Sequence, residues 1–71
     1  MRATIIDIKA YELHGTQYFE LILKDDKTQR LIDTRLSSDM INGDLQAGDA
    51  VEVHALLGIV DRVTKIVSDV D

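Results

Sequence analysis

The stretch that most constrains the fold lies between Gly48 and Gly58. Apolar and polar residues alternate there, in the order Ala-Val-Glu-Val-His-Ala-Leu-Leu from residue 50. Alternation with a period of two is typical of a β-strand that has one buried face and one solvated face. We expect one set of side chains to face the core, namely Val51, Val53, Ala55 and Leu57. Such a strand needs partners, so the rest of the chain is expected to supply a β-sheet.

The chain before this strand predicts three more strands. Residues 3–13 are rich in β-branched side chains and carry apolar residues on both faces, as in a long, bent strand. A turn at 14–17 and a polar loop at 25–28 separate a second strand at 18–24 from a third at 29–36. In the second strand we expect three residues to face inward: Phe19, Leu21 and Leu23.

The pairing of the second and third strands has more than one solution at this stage. If Lys24 opposes Gln29, then Glu20 opposes Asp33. Two like charges directly across a strand pair are unfavourable. A loop one residue longer or shorter would separate them.

The segment at 37–43 contains helix-capping side chains, two apolar residues and a closing glycine, which predicts one or two turns of helix. The last strand is expected at 60–67, where the apolar spacing departs from strict alternation. A β-bulge near Arg62 would explain this spacing, and a short helix is the alternative. We expect the final residues, 68–71, to be frayed.

Composition narrows the class of protein. We expect residues 1–71 to form one domain with a small core. The sequence has no cysteine, which excludes disulfides and thiolate metal sites and favours an intracellular, cytoplasmic setting. We expect no leader and no membrane span, because no apolar run approaches the roughly 20 residues that a bilayer requires. With 8 Lys and Arg against 13 Asp and Glu, the formal charge is -5, which repels polyanions at long range.

The order of the predicted elements resembles that of a known superfamily. The segment Leu-Gln-Ala-Gly-Asp-Ala-Val-Glu-Val at 45–53, with Gly58 ending the strand, is similar to the helix-to-strand entry of many OB-fold domains. The resemblance implies an all-β fold, a five-stranded Greek-key OB-type barrel with one short helix between strands three and four. The layout is similar to the families of the small bacterial translation initiation factor and, more loosely, of the filamentous-phage single-strand-binding proteins. A small SH3-like barrel is the competing architecture, and the helix argues against it.

The resemblance also implies where a binding site lies. In OB-fold domains the site usually crosses strands two and three, beside the loops that join strands one to two and four to five. On this sequence the corresponding nucleic-acid-binding residues are Lys9, Tyr11, Tyr18, Ile22, Lys24, Arg30 and Arg35. The superfamily implies a basic binding face, whereas this chain is acidic overall.

We therefore expect a non-enzymatic module that binds single-stranded DNA or RNA weakly. The four cations of this set would meet phosphates, and Tyr11 and Tyr18 would stack on bases, each worth about 1–3 kcal/mol. In the alternative interpretation, the two tyrosines are half-buried rim residues and the cations only keep the surface soluble.

The sequence predicts no metal site, no cofactor and no catalytic centre. His14 and His54 have no acidic partner at ligand spacing. A calcium loop that begins at Asp39 fails, because its third and fifth positions are Ile41 and Gly43. Neither a nucleophile elbow nor a phosphate-binding glycine loop occurs in the sequence.

A second hypothesis comes from the adjacent leucines at the predicted turn of 56–59. Alternation can bury only one of Leu56 and Leu57, so one of them, together with Ile59, is expected at an exposed hairpin tip. Exposed apolar clusters often mark interfaces. The alternative function is therefore a protein-interaction or homodimerisation module that uses this tip or a sheet edge. If instead the strand twists and the end of the barrel covers these side chains, the tip has no such role.

Overall fold

A computed structural model describes residues 1–67. The structure is all-β, which confirms the sequence-based prediction of fold class. Its strands are β1 (Arg2–Leu13), β2 (Thr16–Asp25), β3 (Leu31–Ser37), β4 (Ile41–Asn42), β5 (Ala50–Leu56) and β6 (Ile59–Lys65). The tail predicted to be frayed, 68–71, lies outside the described residues. The structure contains, within residues 1–67, no helix long and apolar enough to cross a membrane.

All six strands belong to one sheet, in the order β3-β2-β1-β5-β6-β4. β4 runs parallel to β6, and the other neighbouring strands are antiparallel. The predicted five-stranded barrel is wrong, because the sheet has six strands and, over residues 1–67, its end strands β3 and β4 do not pair with each other. The extra strand arises because a 3-10 turn, Ser38–Met40, separates β3 from β4 along the chain.

The predicted helix at 37–43 is also wrong. Only Ser38–Met40 form a helical turn, of the 3-10 type, and Ile41 then enters β4 opposite Val63. Ile41 is partly buried against the core. A helix this short gains few hydrogen bonds for the residues that it orders, so the β-branched Ile41 favours the strand. The consequence is a short connection that leads from one edge of the sheet to the other.

The bend expected in the first strand is present as a register shift in β1. Ile5 pairs with Leu23 and Asp7 pairs with Ile22, so Ile6 is an extra residue without a partner of its own in β2. Ala3 and Ile5 are buried before this bulge, and Ile8 packs against the core after it. The bulge moves the inward face from odd to even residue numbers, which explains the apolar residues on both faces of the sequence.

The β2–β3 hairpin has a register that the sequence did not predict. Lys24 pairs with Leu31, two residues further along than Gln29, and Glu20 pairs with Arg35. The longer loop is held by Asp25, whose carboxylate accepts hydrogen bonds from the backbone amides of Lys27 and Thr28 at 2.8 and 3.3 Å. The like-charge pair is thereby replaced by a pair of opposite charges.

The fourth predicted strand corresponds to β5, and its alternation is confirmed only in part. Val51 and Val53 are buried, as expected. Ala55 and Leu57 are exposed, so their predicted inward orientation is wrong. The last strand, predicted at 60–67, runs as Ile59–Lys65, and the bulge predicted near Arg62 is confirmed, because the register between β5 and β6 shifts at Asp61.

The core lies on the inner face of the curled sheet. Its buried members come from every strand except β4 and from the loop before β5: Ala3, Ile5, Leu21, Leu23, Leu36, Leu45, Val51, Val53 and Val63. Phe19, which was predicted to face inward with Leu21 and Leu23, is only partly buried. Within residues 1–67 the core consists of nine side chains, all aliphatic, which is small, as expected of a domain this short.

Candidate functional site

The registers of β1, β2 and β3 bring most of the predicted site onto one surface. Side chains alternate across a strand, so residues opposite the core side form a second surface, which we call the outer face. The two ladders align the outer-face residues in three rows across β1, β2 and β3: Asp7, Ile22 and Asp33; Lys9, Glu20 and Arg35; Tyr11, Tyr18 and Ser37. Five of the seven predicted residues, Lys9, Tyr11, Tyr18, Ile22 and Arg35, therefore lie in adjacent rows.

Tyr11 and Tyr18 form an aromatic pair at the end of this face. They are direct cross-strand neighbours, and their rings stack with centroids 5.6 Å apart and planes 19° apart. Aromatic pairs of this kind are worth about 0.5–1.5 kcal/mol beyond the area they bury. The stack orders both rings before any ligand arrives.

An open depression of about 420 Å³ adjoins this pair. Its lining residues are Lys9, Ala10, Tyr11, Glu20 and Arg35. Glu20 lies between the two cations in its row, with Arg35 Nε 3.7 Å from Glu20 Oε2. The carboxylate offsets one of the two cations, so the row keeps a single positive charge.

Two of the predicted residues lie away from the aromatic pair. Lys24 is six residues from Tyr18 along β2, which at a rise of about 3.3 Å per residue is about 20 Å. Arg30 precedes β3 in the same loop region, where its carbonyl oxygen accepts a hydrogen bond from the Asp25 amide at 2.8 Å. The sequence therefore predicted a site larger than the one that the sheet assembles.

The charge of the outer face changes sign from row to row. Lys24 is positive, the row of Asp7 and Asp33 carries two negative charges, and the next row carries one positive charge. These charges cancel over the face. Phosphate recognition uses cations that follow the backbone of the nucleic acid, and this face has no continuous basic stripe among its described residues.

The β5–β6 hairpin ends in an apolar cluster that we call the tip: Leu56, Leu57, Gly58 and Ile59. The exposed fractions of its three large side chains are 63% for Leu56, 95% for Leu57 and 70% for Ile59. The exposure predicted from the sequence is confirmed, and it includes both leucines rather than one. Leu56 and Ile59 face each other across the hairpin, so the three side chains form a contiguous patch.

Leu57 also has an unusual backbone. Its φ is +54°, and that of Gly58 is +80°, the two positive values of a type I′ turn. Asn, Asp and Gly adopt this conformation readily, whereas other L-residues are penalised by roughly 1–2 kcal/mol. Leu57 is therefore unfavourable for the turn and gains nothing from burial within residues 1–67.

A cross-strand ion pair behind the tip was missed by the sequence analysis. His54 Nδ1 lies 2.6 Å from Asp61 Oδ1, and both side chains are exposed to solvent. The histidine thus has the acidic partner that its spacing in sequence concealed. A two-residue turn at Leu57 and Gly58 brings His54 close to Asp61, while the bulge at Asp61 makes Arg62 the ladder partner of His54. The turn and the bulge together were the signal. No group of three or more His, Cys, Asp or Glu in the described part of the chain is arranged to hold a metal ion.

The tip and the aromatic pair lie at opposite ends of the sheet. β5 is antiparallel to β1 and pairs with it over three residues, from Arg2 opposite Glu52 to Thr4 opposite Ala50. From this contact β5 continues past the start of β1 to the tip. The β1–β2 hairpin extends the other way as an arm, residues 10–19, in which 10–17 are exposed. A ligand at one end would therefore leave the other end free.

Comparison with protein-family models, with curated proteins and with solved structures finds no match to this chain. The tip and the aromatic pair, at the two ends of the sheet, are therefore the features from which a function can be inferred.

Proposed function

We propose that this chain is a non-enzymatic protein-interaction module that inserts the tip into an apolar pocket on another protein. The observation that carries the proposal is Leu57, which is 95% exposed at a backbone φ of +54°. Residues held in sparsely populated backbone regions cluster at functional sites. The sequence has no cysteine, and we propose the cytoplasm as its setting.

The energetics of the tip support this proposal. Full burial of one leucine side chain contributes about 1.5–3 kcal/mol, and the tip offers three large apolar side chains. Within residues 1–67 these side chains have no cover, so a partner that buries them would make this gain. The type I′ turn fixes the backbone of the tip in advance, which reduces the entropy that binding would cost.

The surroundings of the tip fit an interface with an apolar centre and a polar rim. On the same hairpin, His54 and Asp61 are each two residues further from the turn than Leu56 and Ile59. Interfaces are commonly apolar at the centre and polar at the rim. The acidic character of the chain favours a partner whose pocket is surrounded by basic residues.

The test compares Leu57→Asn with Leu31→Asn. Asn is favourable in the turn, so the first variant removes the apolar contact without disturbing the fold. Leu31 is 66% exposed on β3, away from the tip, and is the matched control.

Proteins retained from lysate by the wild type and by Leu31→Asn, but not by Leu57→Asn, identify the partner. The purified partner should then bind Leu57→Asn at least about tenfold more weakly, a loss of about 1.4 kcal/mol. Equal binding of the purified partner by both variants, or no protein lost selectively with Leu57→Asn, overturns the proposal.

A second candidate function is weak binding of single-stranded nucleic acid at the aromatic pair. The stacked rings of Tyr11 and Tyr18, with Lys9 and Arg35 beside them, favour it. Stacking on aromatic rings tolerates any base, and two nearby cations suffice for a short stretch of backbone. The neutral outer face and the net charge of -5 oppose it, so we expect binding only at low salt.

An NMR titration of the labelled protein with a mixed-sequence single-stranded oligonucleotide tests this second function. Shifts in residues 9–20 and at Arg35 that fade with added salt support it, because phosphate contacts release counterions. Tyr18→Ala should weaken the binding, whereas Arg30→Glu, about 20 Å away along the strands, should change it little. Absence of shifts at millimolar oligonucleotide would leave the tip as the functional surface.

A further inference from the structure

β3 is an end strand, and one of its edges has no partner strand within the described part of the chain. The Asp25 amide donates to the Arg30 carbonyl at 2.8 Å, which fixes which residues of β3 bond to β2. In an antiparallel ladder such residues alternate, so Ile32, Thr34 and Leu36 direct their backbone groups to β2. The remaining residues direct theirs to the free edge: Leu31, Asp33, Arg35 and Ser37.

This edge has only part of the usual protection against pairing, namely the charged side chains of Asp33 and Arg35. Natural sheets guard their edges with proline, bulges, charged side chains or a covering segment. The sequence has no proline, and no bulge interrupts the pairing of β2 with β3 between Leu31 and Ser37. Leu31 is 66% exposed at the start of the strand. The edge therefore presents the backbone donors and acceptors of Leu31, Asp33 and Arg35, whereas Ser37 leads into the 3-10 turn.

The sequence of β3 is complementary to itself in one antiparallel register. When two copies pair around Thr34, Asp33 of each copy lies opposite Arg35 of the other, and both pairs use backbone groups that face the edge. Moving the centre to Asp33 or to Arg35 would set like charges opposite each other, at a cost. In the Thr34 register the apolar residues Ile32 and Leu36 also face each other.

We propose that the free edge of β3 binds the same edge of a second copy of this chain, with Thr34 at the two-fold axis. The Asp33 carboxylate of each copy meets the Arg35 guanidinium of the other. Arg35 is available for this contact because its side chain is 71% exposed and only its Nε approaches Glu20, at 3.7 Å. The terminal nitrogens of the guanidinium remain free to donate to a carboxylate.

The paired sheets would share one continuous outer face. A two-fold axis perpendicular to the sheet keeps both outer faces on the same side, so the two tyrosine pairs lie on one surface. The tips point away from the axis and are not covered. A single strand pair buries little area, so the dimer is expected to be weak and dependent on concentration. The proposed contact between the two copies does not involve the tip.

Sedimentation velocity and NMR spectra recorded over a dilution series test the dimer. We expect a shift from monomer to dimer as concentration rises, with chemical-shift changes concentrated in residues 31–37. A protein that stays monomeric up to about 1 mM overturns the proposal. Shifts that centre on another surface overturn it equally.

Charge reversal tests the register. Asp33→Arg and Arg35→Asp should each raise the dimer dissociation constant at least about tenfold, because each places like charges opposite each other. The double variant, Asp33→Arg with Arg35→Asp, restores the opposite-charge pairs and should recover dimerisation. Thermal unfolding of each variant separates a loss of dimer from a loss of fold, and failure of the double variant to recover while folded overturns the register.

Leu57→Asn and Lys9→Glu serve as controls. Lys9 is a charge on the outer face in β1, away from the edge, and its reversal should leave the dimer intact. Leu57→Asn should also leave the dimer intact, while Asp33→Arg should leave capture of a partner by the tip intact. A dimer lost in Leu57→Asn would show that the tip, and not β3, mediates self-association, and would overturn this proposal.

Discussion

His14 and Leu57 occupy the same position in two hairpin turns of the same sheet. Each is the first residue of a two-residue turn, with φ of +52° and +54°, and each is followed by a glycine at +80°. His is one of the residue types enriched in this conformation, whereas Leu is not. The arm thus ends in a residue suited to its backbone, and the tip ends in one that is not.

The comparison separates what the backbone requires from what the side chain adds. Gly15 and Gly58 supply the positive φ that a type I′ turn needs. The residue before each glycine is free to vary at a cost that depends on its type. A bulky apolar residue there is therefore more informative about function than the same residue in the core.

The largest expected effect comes from removing the glycines. A Cβ added at Gly15 or Gly58 would meet nothing within 4 Å, so only the backbone penalty remains. We expect Gly15→Ala and Gly58→Ala each to lower the free energy of unfolding by about 1–2 kcal/mol. Urea denaturation measures both. A difference between the two beyond experimental error would show that the turns are not equivalent and would break the comparison.

The next largest effect should have the opposite sign. Leu57→Asn replaces a poor left-handed residue by a good one, and we expect the free energy of unfolding to rise by about 0.5–1 kcal/mol. His14→Asn is the matched control at the arm and should change it little, because both residues tolerate this backbone. Urea denaturation decides, and a destabilised Leu57→Asn would mean that the side chain supports the fold.

The parts of the fold that the sequence predicted depend on local signals. Alternation at Val51 and Val53 and the spacing around Arg62 are read within one strand, and both predictions are confirmed. The register of β2 with β3 depends on how Asp25 binds two amides and on Gln29 adopting a φ of +63°, which composition does not reveal. The predictions of a barrel and of a helix were wrong for a similar reason. Ile41 is partly buried against the core, and this contact favours a strand at that position.

In the candidate site, too, some features could be predicted from local sequence signals and others could not. Predicting a two-residue turn at His14 would have paired Tyr11 with Tyr18 and Lys9 with Glu20, and would have revealed the neutralised row. That Lys24 and Arg30 lie too far from the aromatic pair to belong to the same site follows only from the lengths of the strands. Exposure of one of the two leucines was predictable, whereas the exposure of both and the positive φ of Leu57 required the structure.

As pH falls, we expect the region around Glu52 and Asp25 to lose stability before the arm does. The ammonium of Met1 donates to Glu52 Oε2 at 2.7 Å, and this hydrogen bond holds the pKa of Glu52 below its ordinary value of 4.5. The backbone amide of Lys27 lowers the pKa of Asp25 in the adjacent loop in the same way. A lowered pKa stabilises the fold above the ordinary pKa, and this contribution is lost as pH falls through the folded value.

Glu52→Gln should therefore have a lower melting temperature than the wild type at neutral pH, and the difference should shrink below pH 4.5. Thermal unfolding followed by circular dichroism from pH 7 to pH 3 measures this. Glu12→Gln removes an exposed carboxylate from the arm and is the control, for which we expect a smaller difference at neutral pH. An equal pH dependence in both variants would contradict the assignment to Glu52.

The smallest effect is expected at the arm end, in the pair of Arg35 with Glu20. Their closest atoms, Nε and Oε2, are 3.7 Å apart, and Arg35 is 71% exposed, so water and salt screen the attraction. A double-mutant cycle with Arg35→Gln and Glu20→Gln should give a coupling of about 0.2–0.5 kcal/mol that disappears at high salt. Lys9 lies across Glu20 on the other side, and Lys9→Gln with Glu20→Gln provides the parallel cycle. A coupling above about 1 kcal/mol would mean that this row is a rigid network rather than a set of screened surface charges, and would give the arm end a structural role comparable to that of the two turns.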